Sequence, residues 1–151
     1  ATPTPEIPPA DLLAQGKGAL ARQSYQAAMN LLNAIPPSAK EYEESIPLKR
    51  TATKALDRES AARRKLEEIA EAAARKAGAQ NVENGMLAKG YDVTVTVSGK
   101  GNTTIKITYV LMGRPLVYQL VESGFMNQLR SQGFRKVIFS DGYDSSWSFN
   151  L

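Results

Sequence analysis

The chain has no cysteine and no histidine. Without cysteine there are no disulfides, no thiolate nucleophile and no thiolate metal site. Without histidine it lacks the usual general base near neutral pH and the commonest metal ligand. Zinc hydrolysis and the Ser-His-Asp and Cys-His arrangements are therefore excluded. Carboxylate-pair and lysine chemistry stay open. No apolar run reaches the roughly 18–20 residues that a membrane-spanning helix needs. Aromatic residues are sparse at 7%, with a single tryptophan.

What is present is an ordinary globular composition. Of 151 residues, 42% are hydrophobic and 23% charged, enough apolar side chain for a core without staples. The net charge of +4 is spread along the chain. Residues 1–36 carry two acids and two bases, residues 37–90 nine acids and eleven bases, and residues 91–151 four acids and six bases. A diffuse excess argues against a dedicated polyanion stripe.

Residues 1–9 hold four prolines, which favour an extended, solvated segment. The segment reads as a tether, of the kind left after removal of a signal peptide or anchor, and points to an exported or cell-envelope location. A cytoplasmic protein is the alternative. Residues 10–56 then show helical spacing: Leu12, Leu13, Gly16, Ala19 and Leu20, followed from Ser24 by Tyr25, Ala28, Leu31, Leu32 and Ile35 up to Pro36-Pro37. Two short amphipathic helices must pack together to hide their apolar stripes. On Leu12, Gly16, Ala19, Tyr25, Ala28 and Leu32, this pair resembles a tetratricopeptide-type helical hairpin. It departs from that pattern in lacking a turn glycine and a second full repeat. An ordinary αα-hairpin is the other reading.

A further helix is expected from Ser38, with Ser38 as N-cap and Glu41 three residues on, kinked or split at Pro47. Residues 57–89 carry the longest helical pattern. Ala62, Leu66, Ile69 or Ala70, Ala73, Ala77, Val82 and Met86 fall on one face, predicted to be buried, and Gly90 is placed as the C-cap glycine. The bases of Arg63-Arg64-Lys65 and Arg75-Lys76, interleaved with acids, are assigned to a solvated face.

The period then changes to two. Tyr91, Val93, Val95 and Val97 alternate with polar residues, and after the turn Gly99 to Asn102 so do Ile105, Ile107, Tyr109 and Leu111. Residues 115–121 fit strand or helix. Ser123 is expected to cap a helix with Phe125, Met126 and Leu129, ending at Gly133. A second hairpin follows, with Val137 and Phe139, the turn Asp141 to Asp144, then Trp147, Phe149 and Leu151. The fold class is α+β: a helical hairpin region, then residues 57–151 as an α-β-β-α-β-β two-layer domain with an antiparallel sheet. Its second face, bearing Thr94, Thr96, Lys106, Thr108, Ser146, Ser148 and Asn150, is predicted to be wet. Gly133-Phe134, Asp141 to Asp144 and Trp147 make this half similar to C-terminal domains of uncharacterised bacterial proteins, a resemblance that implies no activity.

Asp141 and Asp144 put two carboxylates in one turn, a candidate cation site or acid/base pair. A calcium loop wants further oxygen ligands and a bidentate Glu that are absent, and Asp-Gly is itself a hairpin signal. Tyr143, in the turn, and Arg114 are candidate contact residues, while alternation assigns Trp147 to the core. Gly99-Lys100-Gly101 lacks the strand–loop–helix setting of a phosphate loop. No cofactor or metal motif stands out. The expectation is a non-enzymatic interaction protein of the bacterial envelope, whose partner is another protein. Weak binding to nucleic acid or an anionic surface is the alternative.

Overall fold

The computed structural model describes residues 6–151. The chain divides between Arg64 and Lys65 into two compact units. The class is α+β. Of the proline-rich segment, residues 1–5 lie outside the described residues, Glu6 to Pro8 are exposed without regular structure, and Pro9 already opens a helix. Proline fits there because the first helical N–H has no partner to lose.

In the first unit, α1 (Pro9–Ala21) and α2 (Tyr25–Asn33) form the expected hairpin. The chain reverses through Gln23 at φ 61°, a left-handed residue where a glycine would be less strained. Leu12, Leu13, Leu32 and Ile35 make the core, with Tyr42 and Leu48 packed against it. Gly16 is there because Leu32 fills its space. A Cβ at residue 16 would lie 2.7 Å from Leu32 Cδ2.

The helix α3 (Tyr42–Ala88) differs from its expected course. It does not start at Ser38, which lies in a turn, and it neither splits at Pro47 nor pauses between residues 54 and 57. Pro47 sits in the second turn, where only the Glu43 carbonyl loses its bond, and the surrounding turns hold. Ser45 N–H donates to the Glu41 carbonyl, its hydroxyl donates to the Tyr42 carbonyl, and the Thr51 hydroxyl donates to the Pro47 carbonyl. A larger correction concerns the apolar face. Residues 61–71 are exposed on every side, with Leu66 69% and Ile69 59% accessible, and Ala73 and Ala77 are exposed too. Only Ala79, Val82 and Met86 of this helix enter the core of the second unit. Gly90, at φ 91°, closes the helix as expected: its own N–H bonds the Leu87 carbonyl and that of Tyr91 the Met86 carbonyl.

The second unit carries a four-stranded sheet in the order β1 (Thr94–Ser98), β2 (Thr104–Thr108), β3 (Lys136–Ser140), β4 (Ser146–Asn150). The two outer pairings are antiparallel, but β2 and β3 are parallel, so the sheet is mixed rather than antiparallel. The cause is the connection. Residues 115–121, ambiguous in the sequence, belong to α4 (Arg114–Glu122), which with α5 (Phe125–Ser131) carries the chain back to the end where β2 began. Such a return is the ordinary route to a parallel neighbour. Ser123 does not cap α5. Gly124 at φ 82° holds that position, and Ser123 Oγ instead donates to the Leu120 carbonyl.

One sheet face packs Ile105, Ile107, Val137 and Phe139, all at 0% exposure, onto Val117, Leu129, Phe134 and the end of α3. Trp147 and Phe149 lie half-buried beside them, as alternation requires. Of the opposite face, Thr94, Thr96, Lys106, Ser146, Ser148 and Asn150 are exposed and Thr108 is half-buried.

Candidate contact surface at one end of the sheet

The register row Thr94, Thr108, Ser140 and Ser146 marks one end of the sheet, where β1 and β4 begin and β2 and β3 stop. Because β2 and β3 are parallel, the loops that follow them leave from this same end. The sequence could not place these loops together, since an antiparallel pairing would have sent them apart.

The loop after β2 is a tight turn. Tyr109 N–H stays bound to the Ser140 carbonyl at 2.9 Å, and Met112 N–H closes onto the Tyr109 carbonyl at 2.8 Å. Met112 is buried and Tyr109 packs on the core, its ring edge-to-face with Tyr91 at 5.7 Å. With the first and last residues anchored inward, the two apex residues must point out. Val110 is 64% and Leu111 73% exposed. Turn apices are usually polar or glycine, so two aliphatic side chains there stand out. Leu111 was expected as an inward strand residue, but the chain leaves the sheet at Thr108. Gly113 and Pro115, just beyond, were the available signal that the strand had ended.

After this turn Arg114 opens α4, exposed, and Tyr118 follows one helical turn later, also exposed. The loop after β3 holds the remaining candidates. Asp141 Oδ1 accepts the N–H of Tyr143 at 2.9 Å and of Ser145 at 3.1 Å, and Ser140 Oγ accepts the N–H of Gly142 at 3.0 Å. The Tyr143 amide first, and the Ser145 amide after it, hold the Asp141 carboxyl below its usual range against a counteracting loss of hydration. This carboxylate is spent on its own turn. Gly142 has φ 84°, and a Cβ there would come within 3.2 Å of Thr108 Cγ2, so the turn lies against the end of β2. Tyr143 stands 80% exposed at its tip, and Asp144 is exposed.

Arg114, Asp141, Tyr143 and Asp144 thus lie on or directly after the two loops that leave one end of the sheet, as do Val110 and Leu111, which the sequence did not single out. Tyr118, also not singled out, follows one turn into α4. Among the described residues no hydrogen bond or ion pair links Arg114 to either aspartate. No group of three or more metal-capable side chains occurs among the described residues. A groove of about 450 Å³ opens between the end of α3 and the helices α4 and α5, lined by Met86, Lys89, Tyr91, Leu116, Leu120 and Phe125 among others. No family model matches this chain, and neither a curated protein nor a solved structure does so.

One further residue was misread from the sequence. Arg75, assigned to a solvated helix face, is largely covered. Its Nη1 donates to the Gly101 carbonyl at 2.8 Å and its Nε to the Gly133 carbonyl at 3.1 Å, while Nη2 pairs with Glu71 at 3.3 Å. It ties α3 to the turns before β2 and before β3. Two glycines that offer bare carbonyls at positive φ, about a guanidinium's reach apart, are visible only in three dimensions.

Proposed function

We propose that this protein is a non-enzymatic interaction module that holds a protein partner on the apolar end of its sheet. The observation that carries the reading is the turn Tyr109–Met112, which is braced from below by a buried methionine and a bond to β3 and yet spends its apex on Val110 and Leu111. Aliphatic side chains held out on a rigid support lose little entropy when a partner covers them. Tyr143 and Tyr118 add amphipathic rings of the kind enriched at interface centres, and Arg114 adds a fork of donors. A site-specific photocrosslinker tests the idea. Placed at Leu111 or Tyr143 in the native host it should give one discrete adduct, lost when Val110 is changed to Asp. A crosslinker at Thr96 should give none. Adducts at Thr96 equal to those at Leu111 would refute the surface.

Binding to an anionic partner is a second reading, favoured by Lys106 and Lys136 on the polar sheet face, whose other residues bear no carboxylate. Affinity falling steeply with salt, and reduced by Lys106→Gln, would support it over the first. No helix among the described residues is long and apolar enough to cross a membrane. The envelope location is part of the proposal, supported by the proline-rich composition of residues 1–9, and fractionation of the native host tests it. The likeness of α1 and α2 to a tetratricopeptide hairpin likewise rests on packing residues such as Gly16 and Leu32 alone.

A further inference from the structure

The sheet has two edge strands, and they are treated differently. Along β1, the helix α3 stands guard. Glu83 Oε2 accepts the Val95 N–H at 2.7 Å, and Lys76 and Gln80 line the groove beside Val95, Thr96 and Val97. A charged carboxylate bound to the edge backbone blocks the approach of another strand. Along β4 (Ser146–Asn150) no such hydrogen bond or ion pair occurs among the described residues. Its sequence, Ser-Trp-Ser-Phe-Asn, contains no charge and no proline, and β4 is a terminal strand of the sheet.

The hydrogen-bond phase of β4 is known. Asp141 N–H bonds the Ser145 carbonyl and Leu151 N–H bonds the Arg135 carbonyl. Antiparallel pairs alternate between bonded and non-bonded, so Ser145, Trp147, Phe149 and Leu151 exchange bonds with β3. Ser146, Ser148 and Asn150 therefore turn their N–H and C=O groups outward.

We propose that β4 pairs antiparallel with β4 of a second copy of this chain, about a two-fold axis at Ser148. The strand is self-complementary in that register. Ser148 meets Ser148 of the second copy, and Ser146 meets its Asn150, which are the residues with outward backbone groups on both sides. About six new backbone hydrogen bonds result. Trp147 meets Phe149 of the second copy as a non-bonded pair, the arrangement that brings side chains closest. Both rings lie on the covered face, half-buried against the core, so pairing covers the apolar surface each leaves at the edge. The polar residues of both copies lie together on the opposite face. A register shifted by one residue would set aromatic against serine and lose the symmetry.

Light scattering on the eluting 151-residue chain, from about 10 to about 500 µM, tests this, since five-residue strand pairing makes a small interface. The expected result is a mass rising toward twice the monomer value. Ser148→Pro removes the central N–H donor at an edge position where proline is tolerated, and should leave a monomer with an unchanged circular dichroism spectrum. Ser148→Lys, which keeps the backbone donor but sets two charges face to face across the axis, should do the same and decides the matter if the proline variant misfolds. A Leu66→Lys, Ile69→Lys double variant on α3 should associate like the parent. Hydrogen exchange should show the amides of Ser146, Ser148 and Asn150 gaining at least tenfold protection with concentration. A parent that stays monomeric throughout, association surviving Ser148→Lys, or association abolished by the α3 variant would each overturn the pairing.

Discussion

Asp141 shows how a single carboxylate can be consumed by local structure. It accepts two backbone N–H groups of its own turn, and its folded pKa lies below the ordinary value of 3.8. A depressed folded pKa means the contribution is fully present above about pH 4, the unfolded value, and is lost as pH falls through the folded value. In Asp141→Asn the amide oxygen can still accept both bonds, so the variant should fold with a flatter acid limb in its stability-versus-pH curve. Asp141→Ala should lose the turn as well and melt lower at pH 7. An Asn variant with the parent's acid limb would show that the carboxylate charge is not linked to folding. Millimolar calcium should leave the melting temperature unmoved, because an ion bound to the native state would raise it. The glycines of α1 give a contrast within one helix. Gly16→Ala would set a methyl against fully buried Leu32. The overpacking, about 1–3 kcal/mol, exceeds the gain in helix propensity of about 1 kcal/mol. Gly18→Ala meets only the tip of Arg22, at 3.6 Å, and should stabilise by roughly 0.5–1 kcal/mol. Thermal melts of the two single variants should therefore move in opposite directions.

Among the elements, α3 and β2 carry the clearest tests. Arg75 binds two glycine carbonyls and Glu71 with one guanidinium. Lysine lacks the fork, so Arg75→Lys should cost about 1–2 kcal/mol, while Arg64→Lys on the fully exposed stretch should be neutral in urea titration. If both are neutral, Arg75 is not a tie between α3 and the two turns. On β2, Ile107 is fully buried and its neighbour Lys106 faces water. Ile107→Asp should cost about 4 kcal/mol or more by burying an unpaired charge, whereas Lys106→Glu should fold normally. Equal loss from both would mean the polar face is covered in solution.

At the scale of the whole molecule, the two cores share no residues. The second, built from twelve buried side chains, lies wholly within residues 65–151. A fragment of residues 57–151 should fold alone, with a cooperative melt and a far-ultraviolet spectrum of mixed α and β character. Residues 10–56 alone should be marginal, since helices of 13 and 9 residues are shorter than water supports without packing. A 57–151 fragment that melts without cooperativity would show that its core depends on the rest of the chain.

Local periodicity carried the element types, because it is written residue by residue. The alternation from Val93 to Val97 marked β1, Gly90 marked the end of α3, and Thr96 and Ser148 were legible as the wet face of the sheet. Propensity misled where its effect is small, as at Pro47, whose cost near a helix start is a single bond. Periodicity misled at Leu66 and Ile69, because a helical apolar stripe records that a face is apolar and not that anything covers it. Of the candidate surface, Tyr143 and Arg114 could be named from the sequence, but their common location could not. That followed from the parallel pairing of β2 with β3, which the path of α4 and α5 decides. The aliphatic apex at Val110 and Leu111, the clasp of Arg75 and the guarded and open edges of the sheet are likewise products of tertiary structure. Each depends on residues a dozen or more positions apart in the chain, and a one-dimensional pattern holds no record of which of them meet.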